Sequence, residues 1–352
     1  MASVTAEHSP AQVISRARAA RRARSLVVTA VLAAVVFVIF CVSLSLGDFK
    51  IPVSDVVKTL FGGGDKATEF IVNTLRLPRA LTGLLVGLAL GLSGAIFQSI
   101  ARNPLASPDI IGVTYGASAF AVFAIVTLGL AGAAIAGLAI AGALLTAIIM
   151  YLLAWRRGVS SYRLILVGIG IGIGAMATSL TSYLLTKARV EIAQQALIWL
   201  TGSLNGRDWT QVRWMTITLV VLSPVLIFLV HRLRILQFGD ETAYGLGLRV
   251  ELSRLGLIVV AVLLAAMATA AAGPIGFVAF VAPPIARWLT RSAGPALIVS
   301  ALIGAFVVSL SDLIAQHALG ETQLPVGVIT GVVGAPYLMF LLARANRVGS
   351  GG

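Results

Sequence analysis

The sequence predicts an all-α, polytopic membrane protein with about ten transmembrane helices, on three observations. Hydrophobic residues make up 59% of the 352 residues and charged residues only 11%, with a mean hydropathy of +1.00, a balance that ordinary soluble domains do not carry. Apolar runs of about 20 residues, enough helix to cross a ~30 Å hydrocarbon core, recur along the chain. The basic residues sit between those runs, so the formal net charge of +13 reads as a topology signal and not as a nucleic-acid surface. The single Cys41 lies in an apolar run, which excludes an internal disulfide and a cysteine-rich metal site.

Residues 1–25 form a basic tail carrying Arg16, Arg18, Arg21, Arg22 and Arg24, which the positive-inside rule keeps in the cytosol. The first span, 26–46, is too long for a signal-peptide core and runs outward. Residues 51–61 place Val53, Val56, Val57, Leu60 and Phe61 on one helical face, an amphipathic helix lying on the outer membrane surface. Three glycines and Asp65 end it; no Gly-Lys pair occurs anywhere in the chain, so it carries no Walker A motif.

The stretch 75–118 organises the remainder. Arg76-Leu77-Pro78-Arg79 opens an uncharged run in which Gly83, Gly87, Gly91 and Gly94 share a helix face. Such a face permits close helix approach or lines a pathway. Arg102-Asn103-Pro104 ends the run, and Ser107-Pro108-Asp109 supplies an N-cap, a first-turn proline and an acid suited to the positive end of a helix dipole. This predicts a third span over 108–130 and a fourth over 131–155. The fifth, 164–186, carries Gly168, Gly170, Gly172 and Gly174, which predicts a bent or locally unwound helix. Residues 196–204 are too short to cross and read as a re-entrant or interfacial piece. Spans over 212–230, 255–272, a short one ending at Arg287 and Arg291, 295–316 and 325–342 complete the count. With both ends inside, about 17 of the 26 Lys and Arg residues fall on the cytosolic side. Arg76 and Arg79 are exceptions on the outer side that need a reason. The domain reading is a tail over 1–25, one transmembrane domain over 26–344 and a tail over 345–352.

A secondary transporter or proton pump places acids or histidines at mid-membrane. Only Asp312 lies well inside an apolar run, and a functional carboxylate, a structural hydrogen bond and an outer-vestibule position all remain open for it. His8, His231 and His317 are scattered; no metal-ligand set or nucleophile–base pair emerges, so no catalytic residue, metal or bound cofactor is assigned. The polar stretch 232–254, punctuated by Gly239, Gly245 and Gly247, is long beside the other inner connections and favours a docking site for a cytosolic partner.

Residues 75–118 and 239–249 are followed in order by Gly273-Pro274-Ile275-Gly276-Phe277 with Ile285-Ala286-Arg287, then by Leu324-Pro325-Val326-Gly327-Val328 with Gly334-Ala335-Pro336. Together these resemble the permease subunit of ABC importers for ferric siderophores, haem and cobalamin, over nearly the whole chain after the tail. The resemblance implies two permease subunits, a second copy or a paralogue, around one pathway in a prokaryotic plasma membrane with both termini cytoplasmic. It also implies two cytosolic ABC ATPase subunits that use ATP and Mg, and an extracytoplasmic substrate-binding protein. Ferric siderophore is the expected cargo, with haem or cobalamin import, or an ion-coupled secondary transporter, as alternatives. By the same resemblance Arg76 and Arg79 dock the binding protein, and Asn103, Ser160, Ser161 and Tyr162 form the cytosolic gate. Gly239, Asp240, Glu241, Ala243, Gly245, Leu246, Gly247 and Arg249 couple to the ATPase. Asp312 and Gln316 are candidates for an outer-vestibule polar site. Two departures stand out: Pro284 where the family commonly has histidine, and Gln316 where the cobalamin relative has arginine.

Overall fold

The computed structural model describes residues 10–47, 49–154, 162–292, 294–318 and 323–349. In chain order these form α1 (Pro10–Ser45), α2 (Val53–Leu60) and α3 (Lys66–Glu69), then a π-helical turn (Phe70–Arg76) that runs into α4 (Leu77–Ala101). There follow α5 (Val113–Val126), α6 (Ala133–Ala154), α7 (Tyr162–Lys187), α8 (Val190–Leu200), α9 (Trp209–Leu236) and α10 (Asp240–Gly245). The chain closes with α11 (Val250–Ala272), α12 (Val278–Thr290), α13 (Leu297–His317) and α14 (Val326–Gly349). Among the described residues 6 helices are long and apolar enough to cross a membrane, and apolar segments Val113–Val126, Val278–Thr290 and Val326–Phe340 are shorter. With the 26-residue α7, that makes ten helices at membrane depth, as the sequence predicts.

Polar contacts sort the helix ends into two faces. On one, Arg24 Nε of α1 donates to Leu289 O at the end of α12 (2.7 Å), and Arg287 reaches Gln98 Oε1 of α4 (2.7 Å). Arg102, just past α4, pairs with Asp240 of α10 (3.4 Å). On the other, Arg76 bonds the end of α1, Arg79 bonds Asp312 near the end of α13, and Trp209 Nε1 at the start of α9 donates to Asn73 O (2.9 Å). The helices therefore alternate in direction, α1 and α13 running one way, α4, α9 and α12 the other.

Helix α4 is the axis of the bundle. Of its most apolar window 72% is buried, as for α11, against 6% for α1 and 17% for α9. Its glycine face meets α13 directly: a Cβ on Gly87 would stand 2.5 Å from Gly304 O, and one on Gly91 would strike Ser300 O. Lipid tails are as apolar as leucine, so such backbone-to-backbone van der Waals contact holds membrane helices together. Ser93 Oγ donates to Ala261 O of α11 (2.7 Å) and Gln98 Nε2 to Phe280 O of α12 (2.9 Å), two buried polar side chains of α4 that bond across to its neighbours. The glycine face is thus a packing surface.

Several predicted boundaries move. The third span does not begin at Pro108: residues 103–112 are turns, and α5 starts at Val113. Asn103 Oδ1 accepts from Leu105 N and Ser107 Oγ from Ile110 N, so both side chains close local turns instead of capping α5. Helix α7 is continuous through its glycines, because Gly170 lies where a Cβ would be 2.8 Å from Ile111 Cα; close approach to the 103–112 turns, and not unwinding, uses that position. The polar stretch 232–254 is mostly helix, shared by α9, α10 and α11. Asp208 and Gln211 form a capping box that starts α9 earlier than its apolar run.

Candidate functional site

At the end carrying α2, a cavity of about 620 Å³ is lined by Arg76, Arg79, Arg207, Asp312, Gln316 and Gln323 among others. Arg79 grips Asp312 with two nitrogens, Nη2 at 2.9 Å and Nε at 3.2 Å, and its Nη1 donates to Gln323 Oε1 at 3.0 Å. Gln316 Nε2, one helical turn on, donates to Asp312 Oδ2 at 2.8 Å. The Arg79 and Asp312 side chains are 12% and 5% exposed, so the pair is a buried, fork-shaped bond joining α4 to α13. Arg76 instead donates to the carbonyls of Leu44 and Ser45, which end α1, and of Phe49 beyond it. Arg76 and Arg79 thus both have structural partners within the fold. Asp312 and Gln316 are brought together one helical turn apart, and Arg79 joins them.

Nearer the middle of the bundle a second cavity, about 380 Å³, is lined by Asp109, Thr114, Ser118, Thr178, Thr181 and Pro274 among others. Asp109 Oδ1 accepts from Thr114 Oγ1 (2.8 Å), and the Phe277 amide at the start of α12 faces the same carboxylate. The helix end beside Asp109 is therefore that of α12 and not of its own segment. Ser118, Thr178 and Thr181 each donate back into their own helix, so lone pairs line this cavity.

At the opposite end α10 is a short bracket. Asp240 accepts from Arg254 (2.8 Å) and Arg102 (3.4 Å), and Arg254, 8% exposed, also holds Glu251 (3.1 Å). Arg102 further donates to Leu236 O (2.5 Å). Asp240 and Arg102 together tie α10 to the ends of α4 and α9 and to the start of α11. Ala243 is fully buried against this frame, whereas Phe238, Tyr244 and Leu246 are 73%, 56% and 63% exposed. Glu241 and Arg249 are exposed as well. Gly247 has φ +76°, while Gly245 ends α10 outside the left-handed region; the sharp turn therefore rests on Gly247, with Gly239 (φ +114°) at the entry. Of the predicted gate, Asn103 sits in the turn after α4 and Tyr162 opens α7; Ser160 and Ser161 lie outside the described residues.

Residues 17–344 match the FecCD transport family. The chain belongs to that family. Among FecCD relatives it is 42% identical over 301 residues, 86% of this chain and 91% of the relative, to the ferric enterobactin transport system permease protein FepG of Escherichia coli K12. It is 39% identical over 342 residues, 92% and 98% of the two chains, to the iron(3+)-hydroxamate import system permease protein FhuG of Bacillus subtilis 168. Its fold matches a metal-chelate type ABC transporter solved in an inward-facing conformation, with TM-score 0.78, 27% identity and coverage of 91% of this chain and 99% of that one. This FecCD protein is thus a multi-pass membrane transport component. Sequence reasoning missed Arg102 and Arg254 as the partners of Asp240, and Arg207 in the 620 Å³ cavity. Each partner pair lies far apart in sequence or across a turn, and no spacing rule connects them.

Proposed function

We propose that this FecCD protein is the permease subunit of an ATP-driven ABC importer in a prokaryotic plasma membrane, and that its cargo is a ferric siderophore. Its likeness to FepG and FhuG over nearly the full length of both carries the reading. The face bearing α10 is cytosolic and both termini lie there. Two permease subunits, two copies or a copy and a paralogue, enclose the pathway. An ABC ATPase subunit seats on each α10, where Phe238, Tyr244 and Leu246 offer apolar contact around a braced frame. ATP and Mg act in the ATPase, and this chain carries no Walker A motif of its own. A substrate-binding protein docks on the face with the 620 Å³ cavity. Acidic side chains of that protein dock beside Arg76 and Arg79. Asn103, Ser160, Ser161 and Tyr162 of each subunit form the cytosolic gate.

The test is uptake of a ferric siderophore by the four-subunit assembly with its binding protein in proteoliposomes. Uptake is expected to survive a protonophore and to vanish when the Walker A lysine of the ATPase is replaced. Uptake that follows the proton gradient and ignores that lysine would instead identify an ion-coupled transporter.

A further inference from the structure

A third cavity meets the 620 Å³ cavity at Arg207 and extends away from it. About 350 Å³ in volume, it runs between α6 and α9 over a floor of Met267, Ala270 and Ala271 from α11. Its α6 wall is made of small residues, Gly132, Ala133, Ala136 and Gly137, with Ile135 and Ile140. Both helices pack on α11 and turn large apolar side chains outward: Leu145, Ile148 and Leu152 on α6, Trp214, Ile217 and Val221 on α9. Leucine and isoleucine left bare on a spanning helix suit hydrocarbon as a neighbour, since lipid tails are equally apolar. The slot is therefore a lateral gap in the helix wall, open to hydrocarbon and floored by alanine. It sits at the start of α6, the start of α9 and the end of α11, which places it near one membrane surface.

The surface end of the slot is polar: Arg207, Thr210 and Gln211 line it, beside Trp199 and Trp214. Tryptophan concentrates at membrane–water interfaces. Arg207 donates from Nε to Ser203 O (3.1 Å), and its terminal nitrogens have no acceptor among the described residues. The neighbouring Asp208 is occupied as the cap of α9, its Oδ1 accepting from Thr210 N (2.6 Å). A guanidinium at headgroup depth above an apolar slot matches a phosphate with an acyl chain below it.

We propose that this slot holds one acyl chain of an anionic phospholipid, with the lipid phosphate on Arg207. The lipid fills a gap that the helices leave and braces α6 against α9 through α11. Glycine 137 makes the proposal testable without loss of fold. A Cβ there meets nothing within 4 Å, so Gly137→Leu projects a side chain into the slot while raising helix propensity.

The full chain is reconstituted in nanodiscs of equal phosphatidylglycerol and phosphatidylcholine, then stripped in mild detergent. Retained lipid is counted by native mass spectrometry. The wild-type chain is expected to keep phosphatidylglycerol in preference. Gly137→Leu loses that lipid, and Gly137→Ala, which leaves room, keeps it. Arg207→Gln still retains lipid, but its preference for phosphatidylglycerol falls about tenfold, the loss of one charge-assisted hydrogen bond. Equal retention by wild type and Gly137→Leu overturns the proposal. So does an unchanged headgroup preference in Arg207→Gln, and if that variant also weakens capture of a soluble partner, the arginine belongs to docking.

Discussion

Replacing Asp312 with asparagine should destabilise the protein by about 3 kcal/mol. Removing one member of a buried ion pair leaves the other charge buried and costs roughly 3–5 kcal/mol. The lower end applies because Arg79 keeps its bond to Gln323. Asp312 is 5% exposed and receives Arg79 through both oxygens and Gln316 through one, so asparagine loses the charge and half of the fork. The pair is shielded from bulk ions, and the effect should hardly depend on salt. Unfolding of the bicelle-reconstituted chain by steric trapping measures it. The double variant Arg79→Met with Asp312→Leu, which removes both charges, should recover most of the loss, since apolar replacements of a buried pair are often neutral or better. A single-variant cost below about 1 kcal/mol, the range of exposed pairs, would refute the view that this bond braces α4 against α13. The same geometry governs docking tests: glutamate at position 79 would face Asp312, so a docking defect in that variant counts only if stability is measured alongside.

Three other outcomes follow from the packing and the bracket. Gly91→Leu should abolish correct assembly, because its Cβ would strike Ser300 O on α13; a folded variant in fluorescence-detected size exclusion would contradict the backbone contact. Asp240→Asn should cost roughly 1.5–3 kcal/mol from its hydrogen bonds to charged partners, and should lower ATPase-coupled uptake more than substrate-independent ATP hydrolysis. In a Cys41→Ser background, cysteine at position 65 should react with an impermeant maleimide added outside, and cysteine at 244 should not; labelling at 244 from outside would invert the topology.

The spans were legible in the sequence because each needs only length and apolarity, properties summed along one segment. The break after α11 was also legible, since Gly273 and Pro274 punctuate the chain locally, and the same is true of the amphipathic α2. Family membership followed from motifs in order, each a local string. What the sequence could not supply were pairings between distant segments. The glycine face of α4 admitted packing or a pathway until Gly304 and Ser300 of α13 were seen against it. The glycines of α7 suggested unwinding, since propensity counts their cost and not the Ile111 backbone that uses the space. Arg79 and Asp312 lie 233 residues apart, and nothing in either neighbourhood names the other. Hydropathy is additive along a chain, so composition alone determined that this protein crosses the membrane many times. Charge pairing and close packing depend on separations of a few ångströms between remote residues, so only the tertiary structure decided which helices touch, which arginines are structural and where the bundle leaves gaps.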